Sequence, residues 1–413
     1  MRQNLARSVV VPATAFLLAA TAGAQEIAEK EIAQANASVR NFKTPRTALV
    51  LSDGKVVVAD PELEKLVSVD FSDGSVTELM KQGDKDDQFG GIRRIWMWRG
   101  DSIAAMDSAR NRAWILSSSG GAARIMPLGG GGGRRGGGAG GFVGGRGGRG
   151  GGAGALRPRP MTPPMVPEYM LDGKHLFYSL TPPPPASPVR DGSAPPRSMW
   201  TVMRNSFEAR KLDTVARFLP RQPNKTPVTI RNSASGVAAV TSIHDISEFI
   251  PADAWFVYRD GTVGVLRGAD YHIDFFGPDD SRAKTQPIPF PAIKITNDEK
   301  KRSLDAFKKK EQEYVDRAYA LKIDEGWTWP EIHPPFRHDV QPIVDQLDRV
   351  WVAVRCASTD KAECYDVIDR DGQRVVRLRL PEKTTLLAVG PTDLYTAYFE
   401  KSDRAVLQRH PLN

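Results

Sequence analysis

Six hairpin-like segments recur along this chain of 413 residues, and they restrict its fold more than any other feature. Each has a short run of alternating apolar and polar residues, a turn through Asp-Gly, Ser-Gly or a related pair, and a second run of the same kind. This pattern is typical of antiparallel β-hairpins, so the chain is expected to be all-β. The clearest copies are residues 66–79, 113–125 and 365–378, and the looser copies are residues 199–218, 271–289 and 394–412.

The six hairpins predict a six-bladed β-propeller of four-stranded antiparallel blades. A second apolar strand pair precedes several of them, at residues 48–59, 92–106, 254–266 and 344–354. Small sheets of this kind cannot cover their own apolar faces, so they stack around an axis, and closing the ring protects the strand edges. We expect one propeller domain over residues 46–413. A sandwich of two sheets is the alternative, but a sandwich does not require a repeat.

The first 24 residues have the features of a signal peptide. Two arginines precede a largely apolar run at 8–20, and residues 22–24 supply the small side chains of a cleavage site. A run of about 13 residues is too short to span a bilayer, which takes about 20. We expect residues 1–24 to be removed, residues 25–45 to form an N-terminal lead, and the mature protein to be periplasmic or extracellular, without a transmembrane segment.

Two low-complexity insertions interrupt the repeat. Residues 129–167 are rich in glycine, arginine and proline, and residues 181–197 are rich in proline. The stretch 129–154 alone holds 18 of the chain's 37 glycines. Neither insertion can bury enough apolar surface to offset the entropy of ordering it, so both are expected to be disordered loops on the propeller.

The basic charge of the chain lies outside the predicted blades. The formal net charge is +8; without the two arginines of the signal segment, the 57 basic residues become 55, and 55 against 49 acidic residues gives +6. Residues 129–160 hold six arginines and no acidic residue, which accounts for that excess. The folded body is therefore close to neutral, and no nucleic-acid partner is expected. Attachment to anionic polymers through the Gly/Arg-rich loop is a separate hypothesis.

One segment breaks the strand pattern. Residues 297–325 carry apolar residues at helical intervals, begin at Asn297 or Asp298 as an N-cap, and stop before Gly326. The spacing predicts one inserted amphipathic helix. Neighbouring acidic residues nearly cancel its lysines, which favours a solvated face over a helix that lies on a membrane surface.

The two cysteines, Cys356 and Cys364, are expected to form a disulfide. Strand-like residues flank them on both sides, so the bond would close a hairpin loop in an exported protein. Two separate thiols are the alternative. Two cysteines without a histidine close by in the sequence do not make a zinc site.

Two tryptophan pairs, each with its members two residues apart, are candidates for a ligand-binding surface. The first pair would share one face of a predicted strand with the arginines beside it, and the second pair lies in a proline-bounded loop. The alternative is that the tryptophans pack between blades, where large aromatic side chains bury most area. The six candidate residues are Arg93, Arg94, Trp96, Trp98, Trp327 and Trp329.

A group of acidic residues and histidines resembles a set of metal ligands, and it consists of Glu331, His333, His338 and Asp339. The spacing does not fit one face of a helix, and two prolines between the histidines force an extended loop. A metal site on that loop and ordinary loop residues both remain open. No cofactor is predicted, and the sequence contains no recognisable catalytic signature.

Parts of the sequence resemble the six-bladed propellers of the NHL-like class, and especially a broad group of exported bacterial propellers of unassigned function. The similarity lies in Gly83-Asp-Lys-Asp-Asp-Gln-Phe89, in residues 100–107 followed by Asn111-Arg112 and Gly120, and in residues 348–381 of the last blade. It covers about half of the chain. One glycine stands where the group has a Gly/Pro-rich stretch, and residues 129–197 have no counterpart. The resemblance implies fold and export, since the group shares an architecture and not a reaction.

These features together predict an exported, monomeric binding or interaction module whose ligand is an unknown protein or small molecule. The competing hypothesis is a metal-dependent propeller hydrolase or lactonase. Such an enzyme would need carboxylates and histidine or asparagine around a divalent metal at the mouth of the central channel.

Overall fold

The structure is a computed structural model, and it describes most of the chain outside the low-complexity insertions. The described residues are 29–107, 109–110, 112–127, 169–171, 174–180, 198–206, 208–209, 211–221, 225–232, 240–245, 247–314, 319–321, 329–356 and 362–412. The expected signal peptide (1–24) and the two predicted insertions (129–167 and 181–197) lie outside them. Within the described residues, none of the helical structure has both the length and the apolar character of a membrane span.

The described residues form a six-bladed β-propeller with four antiparallel strands in each blade, as the repeat predicts. Two N-terminal strands come first, β1 (Glu29–Glu31) and β2 (Ala37–Phe42). Blade 1 has β3 (Thr47–Val50), β4 (Val56–Asp60), β5 (Lys65–Val69) and β6 (Val76–Lys81). Blade 2 has β7 (Ile92–Met97), β8 (Ile103–Asp107), β9 (Arg112–Leu116) and β10 (Ala122–Pro127). Blade 3 has β11 (Tyr169–Leu171), β12 (His175–Leu180), β13 (Trp200–Ser206) and β14 (Lys211–Phe218).

The second half of the ring follows an inserted strand pair. That pair is β15 (Lys225–Asn232) and β16 (Val240–Asp245), and a 3-10 turn follows it at Ser247–Phe249. Blade 4 has β17 (Ala254–Val257), β18 (Val263–Leu266), β19 (Ile273–Phe276) and β20 (Arg282–Lys284). Next come the helix α1 (Asn297–Tyr314) and the strand β21 (Tyr319–Leu321). Blade 5 has β22 (Ile343–Val344), β23 (Val350–Val354), β24 (Cys364–Ile368) and β25 (Arg374–Arg379), and blade 6 has β26 (Thr384–Val389), β27 (Asp393–Lys401) and β28 (Arg404–Pro411).

A separate hydrophobic cluster fills each of the six interfaces between neighbouring blades in the described structure. The strands of one blade contribute side chains to the interfaces with both neighbouring blades, because successive side chains point to opposite faces of a sheet. Thus Val56 and Val58 of β4 pack against blade 6, while Val57 and Ala59 pack against blade 2. This twofold burial explains why the middle strands are apolar along their whole length, and six filled interfaces mean that the ring is closed.

The N-terminal segment completes the sixth blade. Strand β2 pairs antiparallel with β28, with Val39 opposite Leu407, and so becomes the outer strand of blade 6. Strand β1 adds a parallel edge to β25 of blade 5. The sequence pattern placed these strands in a lead before the propeller, because their partners lie at the other end of the chain and no local turn connects them.

The two faces of the propeller differ in the length of their connections. The first strands of the blades surround the axis, since β26 contacts β3, β3 contacts β7, and β7 contacts β11. If the four strands of a blade are named A to D outward, antiparallel order places the A–B and C–D turns on one face, and the B–C and D–A connections on the other. Each turn on the first face has six residues or fewer. We call it the turn face.

The long connections all belong to the second face, which we call the insertion face. They include both predicted low-complexity insertions, of which the first joins β10 to β11 and the second joins β12 to β13. They also include residues 219–253 before blade 4 and residues 285–342 before blade 5. Length variation in this chain is therefore confined to one end of the ring.

The last two of these connections build a cap of their own. Strand β15 pairs with β16 and with β21, which makes a three-stranded sheet from distant segments. A small hydrophobic cluster of Phe249 and Ile295, with Ile250 and Trp329 against it, joins the same two connections. The prediction of an inserted helix is confirmed, but its extension to residue 325 is wrong. The helix ends at Tyr314, and residues 319–321 pair with β15, so tertiary pairing overrides the helical spacing there.

Candidate functional site

A cavity of about 630 Å³ lies on the insertion face, beside the cap and the B–C loop of blade 5. Its walls come from the two connections that build the cap and from the B–C loop of blade 5. Charged side chains dominate the lining, with five basic and four acidic residues. The basic residues are Arg221, Lys294, Arg302, Arg337 and Arg355, and the acidic residues are Glu248, Asp298, Glu299 and Asp339.

The first turn of α1 fixes one wall of the cavity. Thr296 and Glu299 form a capping box: the Glu299 N–H donates to the Thr296 hydroxyl oxygen (3.2 Å), and the Thr296 N–H donates to Glu299 Oε2 (2.9 Å). The Thr296 hydroxyl also donates to Oε2 at 2.9 Å. Burial opposes ionisation of this carboxyl, but these hydrogen bonds hold the pKa of Glu299 below its ordinary value. Glu299 is therefore an anion held in one orientation, with Oε1 turned to the cavity wall opposite.

Glu299 Oε1 contacts one imidazole and one guanidinium. His333 Nε2 lies 3.1 Å from it, and Arg355 Nη1 lies 3.3 Å from it. Burial, and then the positive charge of Arg355, hold the pKa of His333 below its ordinary value, so the imidazole is neutral at pH 7. The proton of this neutral ring is therefore assigned to Nε2, which donates to Glu299. Nδ1 is buried and has no hydrogen-bond partner in the described structure.

The loop that carries His333 is held by main-chain bonds to the segment before α1. The Ile295 N–H donates to the Glu331 carbonyl (3.0 Å), and the His333 N–H donates to the Ile293 carbonyl (2.9 Å). Phe249 lies against the imidazole with ring centroids 5.7 Å apart. His333 is therefore held in a fixed position and is almost fully buried, with 2% of its side chain exposed.

Arg337 and Arg355 both line the cavity, but their hydrogen bonding differs. Arg337 donates Nε and Nη2 to the two oxygens of Asp339 (3.3 and 2.9 Å) and Nη1 to Glu363 (3.3 Å). Burial alone would lower the pKa of Arg337, but these two carboxylates raise it. For Arg355, burial lowers the pKa, and Glu299 and Glu248 offset that effect only in part. In the described part of the chain, Arg337 thus makes three hydrogen bonds to two carboxylates, whereas Arg355 makes one hydrogen bond to a single carboxylate oxygen.

The disulfide between Cys356 and Cys364 is present, as the sequence predicts. It ties the two ends of the B–C loop of blade 5, with a Cα–Cα distance of 5.2 Å. Cys356, Val354 and Ala362 line the cavity. The bond therefore holds the strand end that carries Arg355 in place.

The four sequence-predicted metal candidates do not come together as a metal cluster. His333, His338 and Asp339 line the cavity, whereas Glu331 is exposed and contributes its carbonyl to the loop. His333 is bonded to Glu299, and Asp339 is bonded to Arg337. Within the described residues, the groups with metal-like spacing reduce to Glu29 with Cys356 and Cys364, and those two sulfurs are already in the disulfide.

The tryptophan candidates lie in different parts of the molecule. Trp96 and Trp98 are partly buried against the cluster between blades 2 and 3, and Arg94 is half-buried on the same strand. Trp329 packs edge-on against Phe249 in the cap at a centroid distance of 5.3 Å. Trp327 and the side chain of Arg93 lie outside the described residues.

Glu299 and Arg355 were missed by reasoning from the sequence. The capping pattern Thr296-x-x-Glu299 could have indicated Glu299, since it stands at the start of the helix. Arg355 carries no local signal. It becomes a cavity residue only because blade 5 meets the cap.

No model of a known protein family matches the chain, and none of the curated proteins matches it at a significant level. Solved structures are similar in fold. A member of the DUF4221 family from Bacteroides vulgatus is 9% identical, with 93% of this chain and 97% of that chain covered and a TM-score of 0.44. A Bacteroides fragilis protein thought to be exported is 9% identical, with coverages of 94% and 95% and a TM-score of 0.43. Virginiamycin B lyase from Staphylococcus aureus is 10% identical, with coverages of 93% and 99% and a TM-score of 0.37.

Proposed function

We propose that this protein is an exported binding module that takes a ligand into the cavity of the insertion face. One observation carries the proposal: the connections longer than six residues emerge on that face, and two of them join blade 5 to enclose a cavity lined by charged side chains. Repeat scaffolds commonly place their variable loops on the face that binds. Ligand sites are concave, and convergent polar or charged groups fix the orientation of the ligand in them.

Export is supported by two features of different kinds. The first 24 residues have the pattern of a signal peptide, and Cys356 and Cys364 form a disulfide. Structural disulfides persist in oxidising compartments outside the cytosol. Fractionation of cells that produce the full-length chain, with mass measurement of the mature N-terminus, tests this part of the proposal.

The binding proposal is tested with an occluding variant. The purified chain is screened by thermal shift against a panel of neutral sugars, amines, carboxylates, phosphates and divalent cations. Ala362→Trp fills the cavity wall, and Gln373→Trp places the same side chain on the turn face as a control. We expect at least one ligand to stabilise the wild type and the Gln373→Trp control, and to lose its effect in Ala362→Trp. Equal binding by both variants, or binding by none of the three proteins, contradicts the proposal.

The same panel separates binding from metal-dependent hydrolysis. Metal analysis is carried out on the purified chain and on the Glu331→Ala and His338→Ala variants. We expect no stoichiometric Ca²⁺ or Zn²⁺ that depends on either side chain. A stoichiometric metal that is lost in either variant would replace the binding-module proposal with the metal-dependent hydrolase or lactonase.

A further inference from the structure

We propose that the ligand of the insertion-face cavity carries a carboxylate or phosphate group, and that the guanidinium of Arg355 binds this group. The inference rests on the proposed function and adds the chemical class of the ligand and the residue that selects it.

The hydrogen bonding of Arg355 is the first step. Its side chain is 30% exposed, and within the described residues it makes one hydrogen bond, from Nη1 to Glu299 Oε1 at 3.3 Å. A guanidinium has five N–H donors in a planar fork. A half-buried cation on a cavity wall therefore has donors to spare, and a planar or tetrahedral oxyanion is the acceptor that matches the fork.

Glu299 cannot turn to fill those donors. Its Oε2 accepts from the Thr296 N–H and hydroxyl, and its Oε1 is shared with His333 Nε2. The carboxylate is thus fixed by the helix cap and by the imidazole, and it presents one oxygen to Arg355. The pair is therefore monodentate, and within the described residues no second carboxylate oxygen is hydrogen-bonded to Arg355.

The charge of the surroundings favours an anion over a cation. Two of the four acidic side chains of the lining are already paired. Glu299 is bonded to His333 and Arg355, and Asp339 is bonded to Arg337. The charge of Arg337 is balanced by the carboxylates of Asp339 and Glu363. The basic residues Arg221, Lys294 and Arg302 also line this cavity, so its lining has five basic side chains against four acidic ones. Burial lowers the pKa of Arg355, because it disfavours the charged guanidinium. A bound anion would stabilise that charge.

The test uses two simple anions as probes, malonate for the carboxylate class and inorganic phosphate for the phosphate class. Each is titrated into the purified chain at constant ionic strength and followed by isothermal calorimetry. Arg355→Gln removes the guanidinium, Arg355→Lys keeps the charge without the fork, and Arg282→Gln removes an exposed arginine from β20 as the matched control. Thermal melting of each variant checks that it is folded.

We expect saturable binding of at least one probe, and the probe that binds assigns the ligand to the carboxylate or the phosphate class. Binding should weaken ten-fold or more in Arg355→Gln, less in Arg355→Lys, and not at all in Arg282→Gln. Absence of saturable binding by either probe overturns the inference, and so does equal binding by wild type and Arg355→Gln. If a neutral ligand of the thermal-shift panel is blocked by Ala362→Trp and unaffected by Arg355→Gln, the anion inference fails while the binding module stands.

Discussion

Buried ionic groups tie neighbouring blades together at the level of single residues. Asp366 is fully buried and accepts from Arg377 Nε (2.6 Å) and Nη2 (2.9 Å). Tyr271, from blade 4, donates its hydroxyl proton to the same carboxylate at 2.8 Å. Burial, and then the negative charge of Asp366, raise the pKa of Tyr271, so the phenol stays protonated and remains a donor. One carboxylate thus links blade 4 to blade 5.

The substitution Asp366→Ala should lower the free energy of unfolding by about 3–5 kcal/mol, because the buried Arg377 guanidinium loses the carboxylate to which it is hydrogen-bonded. Urea unfolding followed by tryptophan fluorescence measures this loss. Arg40→Gln is the control, since Arg40 is exposed and forms a surface ion pair with Glu400, and it should cost about 1 kcal/mol or less. Equal losses for the two variants would contradict the structural account of Asp366.

At the scale of elements, the capping box of α1 supports both the helix and the site. Thr296→Ala should destabilise the chain by about 1 kcal/mol, because the N-cap hydroxyl is lost. Thr296→Ser keeps that hydroxyl and should be close to wild type. Denaturant unfolding gives the global effect, and hydrogen exchange in α1 gives the local effect. Unchanged exchange in α1 of Thr296→Ala would show that the cap does not hold the first turn.

The contact between β28 and the N-terminal segment should become less stable in acid, because it involves His410. This buried imidazole lies 2.9 Å from the Ala33 carbonyl through Nδ1 and 3.0 Å from the Thr396 hydroxyl through Nε2. Burial lowers the pKa of His410, so the unfolded state binds more protons than the folded state near pH 6. Its contribution to stability is present above the unfolded pKa of about 6.5 and is lost as pH falls below it.

This pH effect is measured by comparing unfolding free energies of wild type and His410→Asn between pH 7.5 and pH 5. Wild type should lose more stability over that range than the variant, because the asparagine amide supplies a donor that does not titrate. Identical pH profiles would remove His410 as the acid-sensitive contact of the N-terminal segment.

The elements predicted correctly are those that local sequence determines. The blade hairpins are indicated by alternating apolar and polar residues around a tight turn. The disulfide is indicated by the strand-like residues that flank the two cysteines. The missed elements need partners that are distant in sequence. Strand β21 pairs with β15 across about ninety residues, and β2 pairs with β28 across the whole chain. Local spacing at residues 315–325 still favours a helix, which is why the helix prediction ran too far.

The candidate site was also predicted only in part, because some of its residues are brought together by contacts that are distant in sequence. His333 and Asp339 stood out in the sequence because histidines and acids cluster there, but their interpretation as metal ligands depended on spacing alone. In the structure their partners are Glu299 and Arg337, contributed by the helix cap and the loop itself. Arg355 could not be found from the sequence, since its role follows from the contact between blade 5 and the cap.

The whole molecule is a closed ring whose turn face and insertion face differ in the length of their connections. Six filled interfaces hold the blades in a rigid frame, and each turn of one face has six residues or fewer. The other face carries the insertions, the cap and the charged cavity. Rigid scaffolds with variable connections at one end are well suited to binding, because the loops can change without disturbing the core.

Hydrogen exchange of the whole chain tests this division most directly, when it is measured with and without a saturating concentration of the probe anion that binds in the calorimetry, malonate or phosphate. We predict slower exchange in residues 293–299, 331–339 and 354–356, which line the cavity, and no change in the turns at 70–75 and 369–373 on the opposite face. Protection at the turn face, or along the inner strands around the axis with none at the cavity, would contradict the placement of the binding site on the insertion face.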